Sequence, residues 1–251
     1  ALPFLSVLLT TPKVSEQLGK RHKTVAQVTG QAVGWLRRTL SGRPIHLVGD
    51  GAYAVIELGL TCQRHEINLI APLRLDARLF EPPCRPLENR IGRPPVVGAR
   101  LPNLEQVAVY PMTQWQRSRV SWYGGETTFL DWTTGTALWY STGMTPLAIR
   151  WVLVRDPEGK FETRAFFSTD PYQDAPTIIG DFIKRWSIEV TFGARWNPPY
   201  FSPAIVTSFI LGSSISANHL PTSACSRQVD ISGTMKPMIN LTLPPWTGLK
   251  G

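Results

Sequence analysis

The short apolar run Ile45-His46-Leu47-Val48, closed by Gly49-Asp50-Gly51-Ala52-Tyr53, constrains this chain more than any other stretch. A run of that length bounded by turn-formers reads as a buried strand. It delivers an Asp into a glycine-flanked turn at its carboxyl end. Before it, Thr24 to Leu40 carries Val25, Val28, Ala32, Trp35 and Leu36 on one face near helical spacing, and Gly42-Arg43-Pro44 ends that helix. After it, Ala52 to Gln63 reads as helix and Asn68-Leu69-Ile70 as another short strand. Alternating helices and buried strands predict an α/β fold.

The texture then changes. From Pro72 to Arg100 the chain is loaded with Pro and Arg, the composition of an exposed basic loop and a candidate DNA-facing surface. Between Glu105 and Phe167, alternating β-branched and aromatic residues with breaks at Gly124-Gly125 and Asp156-Pro157-Glu158-Gly159 predict an antiparallel meander. Its expected strands are Gln106 to Tyr110, Arg119 to Trp122, Glu126 to Trp132, Ala137 to Tyr140, Leu147 to Arg155 and Lys160 to Ser168. Asp174 to Trp196 returns to helix, with Ile178, Ile179, Phe182, Trp186 and Val190 on an apolar stripe and Asp181, Lys184, Arg185 and Glu189 elsewhere. From Arg195 on, Ser, Thr and Pro dominate and charges thin out, which predicts a weakly structured tail.

Lys and Arg total 26 against 18 Asp and Glu, a net charge of +8 that favours a polyanionic partner. Cys62, Cys84 and Cys225 form no CxxC pair, so neither a disulfide framework nor a zinc site is expected, and a reducing, cytoplasmic setting fits. The apolar opening run Ala1 to Thr10 is far shorter than the roughly 20 residues a membrane span needs, and reads as a strand. The chain begins without Met on that strand, so a segment upstream is expected to be missing.

An Asp at the carboxyl end of a buried strand stands where α/β proteins present polar groups to ligands, and glycine neighbours permit close approach. The competing reading of Asp50 is a turn residue capping the helix after it. Glu189 follows Arg185 by four residues, which on a helix places carboxylate and guanidinium on one face; an ordinary surface ion pair is the competing reading.

Taken together, these patterns resemble the catalytic core of insertion-sequence DNA transposases of the DDE superfamily, which have an RNase H-like fold. In that family the second catalytic Asp follows a strand in a motif like Val48-Gly49-Asp50-Gly51-Ala52-Tyr53. The third acid lies on a helix in a signature of Tyr, two residues, Arg, three residues, Glu, six residues and Lys. Phe182, Arg185 and Glu189 match it, with Phe in place of Tyr. Gly19-Lys20-Arg21-His22-Lys23-Thr24 looks like the family's basic stretch, and Trp151-Val152-Leu153-Val154-Arg155-Asp156 like a strand and turn of its insertion. The resemblance covers about residues 1–193. The family's first Asp matches nothing here, and the signature's final Lys falls at Trp196; a truncated or frame-shifted copy would show both departures.

The resemblance implies an RNase H-like mixed sheet flanked by helices, with a β-rich antiparallel insertion between the second and third acids. Residues 1–70 are then the first part of the core, 71–165 the basic loop and insertion, 166–194 the return to the core with the catalytic helix, and 195–251 the tail. It implies metal-dependent DNA cleavage and strand transfer, incomplete in this chain. Asp50 and Glu189 would hold Mg²⁺, with two ions in an intact site and Mn²⁺ as substitute. Lys20, Arg21, His22, Lys23 and Arg185 would hold phosphates. Trp122, Trp132, Trp139 and Trp151 would be available to stack on a flipped base, although strand tryptophans are usually core. Expected partners are double-stranded DNA at transposon ends and target, and a second copy within the DNA complex. No membrane is expected, and the location is the cytoplasm, on the nucleoid. The alternatives are an inactive DNA-binding remnant and an unrelated RNase H-like nuclease acting on RNA.

Overall fold

The computed structural model describes residues 6–83, 94–121, 127–159, 161–185, 206–208 and 210–212. Its centre is a mixed sheet flanked by helices. The strands are β1 (Ser6–Leu8), β2 (His46–Val48), β3 (Asn68–Leu73), β4 (Leu79–Phe80), β5 (Gln116–Ser121), β6 (Thr127–Trp139), β7 (Leu147–Arg155), β8 (Arg164–Ser168), β9 (Val206–Ser208) and β10 (Ile210–Gly212). The helices are α1 (Pro12–Gln17), α2 (Val25–Thr39), α3 (Ile56–Arg64), α4 (Leu104–Val109) and α5 (Ala175–Lys184). In the large sheet the order is β10-β2-β3-β8-β7-β6, and β6 pairs along its length with both β5 and β4. Among the described residues only β2 and β3 are parallel; the other pairs are antiparallel. A separate pair joins β1 to β9.

Period-two alternation sorts the central strands onto two faces. Leu47, Leu69, Ala71, Leu73, Ile149, Leu153 and Phe167 face α2 and α3, where Val33, Leu36, Leu58 and Cys62 meet them. Val48, Ile70, Val152, Val154 and Phe166 face α5, against Ala175, Ile178, Ile179 and Phe182. Near β2 and β3 the sheet is therefore covered on both sides, as short all-apolar strands require. Contact is close at Gly59, where a Cβ would collide with the Leu147 side chain. Burial pushes the Cys62 thiol up to about 12, so it is inert at neutral pH. No helix among the described residues is long and apolar enough to cross a membrane.

Helix α2 keeps nearly its expected length because Thr24 and Gln27 form a capping box at its start. Strand β7 runs between the expected residues, Leu147 and Arg155. Other expectations need correction. Gln106 to Tyr110 is not a strand: Asn103 and Gln106 make a second capping box that starts α4, and this local signal outweighs the β-branched residues that follow. The two expected strands from Glu126 to Tyr140 are one strand, β6. Gly135 does not break it, because the missing side chain makes room for the Trp151 indole, whose ring would lie 2.7 Å from a Cβ there. The stretch from Pro72 is not wholly an exposed loop. Pro72 and Leu73 finish β3, and Leu79, 1% exposed, belongs to β4, while residues 84–93 lie outside the described residues. The helix expected from Ala52 begins only at Ile56, after a single 3-10 turn at Gly51–Tyr53. Within the expected tail, β9 and β10 pair with β1 and β2, and the rest lies outside the described residues.

Candidate functional site

Asp50 stands just past the carboxyl end of β2, next to the parallel β3. Gly49 prolongs the pairing by donating its N–H to the Ile70 carbonyl at 2.9 Å. A side chain on Gly49 would collide with Tyr53, whose ring would lie 2.7 Å from a Cβ there, so Tyr53 can fold back and bury itself only over glycine. This packing fixes the turn and leaves Asp50 exposed at its crest. One Asp50 carboxylate oxygen, Oδ1, accepts the Ala52 N–H at 2.9 Å and caps the 3-10 turn. The other has no hydrogen-bond partner among the described residues and is available as a hard oxygen donor.

The basic stretch lies on the loop between α1 and α2, with Lys20, Arg21 and His22 exposed and Lys23 half-buried. Ser15 Oγ lies 3.4 Å from His22 Nδ1, and Lys23 Nζ donates to Gln31 Oε1 at 3.4 Å. Arg21 and Lys23 line a cleft between α2 and α3 that reaches Ala52, two residues from Asp50. On the other side of the same turn, Gly51 and Ala54 border a smaller pocket with Pro72, Arg74, Asp76 and Trp139. The fold thus brings the basic stretch and Asp50 to one region.

Arg185 is elsewhere, at the carboxyl end of α5 on the opposite face of the sheet, its guanidinium 5.3 Å from the Phe182 ring centroid. Glu189 lies outside the described residues, so its distance to Asp50 is not among the described geometry. Helix α5 starts beside Ser168 and Asn68, at the amino ends of β2 and β3, where Asn68 donates to the Gln173 side chain at 2.7 Å. Further along, Phe182 packs 4.4 Å from Phe166, which pairs with Pro72 near the carboxyl end of β3. Asp181, one residue before Phe182, still reaches His46 at the amino end of β2, so the last turn of α5 touches both ends of the sheet's face.

Asp181 does not fall on the solvent face of α5 as its spacing predicted. It is 6% exposed, accepts from His46 Nδ1 at 2.7 Å and Lys184 Nζ at 2.9 Å, and belongs with Gln173, Asn68, Ser168 and Thr169 to one polar network. The helical stripe had to carry either a charge or a gap at this point, because 181 lies between the apolar 178 and 182. That position was the available signal. Burial pushes the Asp181 carboxyl up, but the hydrogen bonds from His46 and Lys184, with the Lys184 charge, outweigh it and hold the group below the usual carboxylate range. A depressed carboxyl contributes stability that is present above its unfolded pKa and lost as pH falls through the lower folded one. Asp181→Asn is accordingly expected to cost about 1.5–3 kcal/mol near pH 7, the worth of hydrogen bonds to a charged group. In urea melts the gap to wild type should narrow below about pH 4. A gap as wide in acid as at neutrality would show that the charge of Asp181 is not what holds α5 to β2.

Asp170 does not cap α5. Its carboxylate accepts the Tyr172 N–H at 2.9 Å, and Asp174 caps the helix through the Thr177 N–H. Trp132, Trp139 and Trp151 are built into the sheet: Trp132 Nε1 donates to Ser118 Oγ at 2.9 Å, Trp139 meets Phe167 edge to face, and Trp151 lies over Gly135. Trp122 lies outside the described residues. Among the described residues no group of three or more His, Cys, Asp or Glu side chains is placed to hold a metal ion. The chain matches no family model and no curated protein.

Proposed function

We propose that this chain is the greater part of the catalytic domain of a DDE-type DNA transposase with an RNase H-like fold, acting on double-stranded DNA with Mg²⁺ and located in the cytoplasm on the nucleoid. The observation that carries the reading is the position of Asp50. It is an exposed carboxylate with one uncommitted oxygen, at the carboxyl end of the first of two adjacent parallel strands. Support comes from chain order: the second parallel strand leads into an antiparallel excursion, β4 to β8, and the chain then returns to the sheet through α5.

A hard divalent ion takes several oxygen ligands, and Asp50 alone is not a site. In the proposal Glu189 supplies the second carboxylate. It follows Arg185 by four residues in the sequence. When bound, the metal activates the attacking oxygen and stabilises the leaving one during displacement at phosphorus. Asp50 and Glu189 would hold that ion, while Lys20, Arg21, His22, Lys23 and Arg185 would neutralise phosphates.

The test is a Mn²⁺ titration of the 251-residue chain with and without duplex DNA, read by electron paramagnetic resonance, beside a supercoiled-plasmid nicking assay. Mn²⁺ uptake with metal-dependent nicking is the expected result for a complete site. Mn²⁺ uptake and DNA binding without nicking would identify an inactive DNA-binding remnant, the second reading. A chain that takes up neither would refute both.

A further inference from the structure

The cleft between α2 and α3 has a volume of about 820 Å³ and a division of chemistry along its walls. Its floor is small and aliphatic: Val25, Ala26, Gly30, Val55 and Leu58. Arg21 and Lys23 stand at its mouth, Gln27 and Gln31 along its rim, and its far wall ends at Ala52, beside Asp50. We propose that this cleft holds a single strand of DNA, with phosphates on Arg21 and Lys23 and bases against the aliphatic floor, leading toward Asp50. The proposal deepens the transposase reading and rests on its DNA substrate.

Size selects the single strand. The two helices are in contact, since a Cβ on Gly30 would lie 3.5 Å from the Thr61 methyl. Helices in contact run about 8–10 Å apart, axis to axis. The cleft is therefore a groove over their line of contact, and its volume of about 820 Å³ has room for a short run of one strand but not for both strands of a duplex. A lone strand presents unstacked bases whose apolar faces match the floor and whose edges can meet the Gln amides. Charge selects an anion: two cations flank the mouth against one acid, Glu57, on the walls, in a chain of net charge +8. The amino end of α2 contributes little, because Thr24 and Gln27 already cap it. Selectivity for phosphate therefore falls to the Arg21 and Lys23 side chains.

The experiment uses the full chain in EDTA, so that binding is read independently of any metal at Asp50. The probe is a fluorescein-labelled 12-mer of oligodeoxythymidine, compared by anisotropy with a duplex of equal length and with oligoglutamate as competitor. Arg21→Ala with Lys23→Ala is expected to weaken single-strand binding at least tenfold. It should also lower the slope of log affinity against log salt by about 1.4, two contacts at about 0.7 each. Ala26→Phe, which fills the floor without changing charge, is expected to weaken the single strand at least tenfold and the duplex less than twofold. If Ala26→Phe melts early, Gln31→Trp on the exposed rim replaces it. Single-strand affinity unmoved by these variants overturns the cleft assignment and leaves the metal-site reading to its own test. Equal losses for single strand and duplex, or full competition by oligoglutamate, overturn the choice of a single strand. A wild-type chain that binds no DNA in EDTA overturns this proposal, while Mn²⁺ uptake still decides the reading at Asp50.

Discussion

Asp50→Asn is expected to leave the fold intact and to lower Mn²⁺ affinity by at least about tenfold, with any metal-dependent nicking reduced on the order of a thousandfold, equivalent to about 4 kcal/mol. The substitution separates the two roles that Asp50 can have. As a turn residue it accepts the Ala52 N–H through Oδ1, and Asn offers a side-chain oxygen in the same place. Asn and Asp are near-equal as caps, so the turn loses a few tenths of a kcal/mol at most. The side chain is exposed, so no cavity opens and the melting temperature should stay within about 1 °C of wild type. As a ligand it loses its negative charge, and a neutral amide is a much weaker partner for a hard cation. A variant that binds Mn²⁺ like wild type would reduce Asp50 to a cap and remove the observation on which the function rests. Asp50→Ala is the complementary variant: it removes charge and cap together, and only there should a thermal shift of about 1 kcal/mol accompany lost metal binding.

The parts of the fold legible in the sequence are those with local causes. The apolar spacing from Val25 to Leu36 announces α2, the apolar run to Val48 announces β2, and the alternation from Leu147 to Arg155 bounded by Asp156-Pro157 announces β7. Legibility ends where a signal is local but subtle. Leu73-Arg74-Leu75-Asp76-Ala77-Arg78-Leu79 alternates apolar and charged residues, the mark of a half-buried segment, yet its Arg content argues for a loop and masks that alternation. It ends also where the cause is non-local. No window around Asp181 contains His46, 135 residues away, which is what makes a buried carboxylate tolerable there. The buried Asp131 is a second case: the Arg117 guanidinium, at 2.7 Å from the neighbouring strand, holds its carboxyl below the usual range, helped by Arg155. Of the candidate site, the exposure of Asp50 and its glycine-framed turn are legible because Gly49, Tyr53 and the end of β2 are neighbours in sequence. The cleft is not, because it needs α2 and α3 brought together.

Phe167→Ala is expected to be the most destabilising single truncation in the sheet, at about 3–5 kcal/mol. Phe167 is 0% exposed and sits in β8 between Ala71 of β3 and Trp151 of β7, with the Trp139 ring 5.2 Å away edge to face. Its neighbours are held by strand pairing on both sides and by α3 behind, so they cannot close on the space left, and the cavity adds to the lost transfer energy. For a chain of this length the loss corresponds to a fall in melting temperature of roughly 6–20 °C. Tyr172→Ala, at a ring 93% exposed five residues away, should shift stability by less than about 0.5 kcal/mol and serves as the control. Urea denaturation of both variants gives the comparison. A loss below about 1 kcal/mol for Phe167→Ala would mean that the packing of β3, β8 and β7 is looser than these contacts require. The two substitutions also test whether stability and site are separable. Asp50 is tied to this core through β2, the backbone link from the Gly49 N–H to the Ile70 carbonyl, and the buried Tyr53 ring that fixes the turn. Well below its melting temperature Phe167→Ala should keep the Mn²⁺ affinity that Asp50→Asn loses, and a parallel loss in both would tie the geometry at Asp50 to the packing of the sheet beneath it.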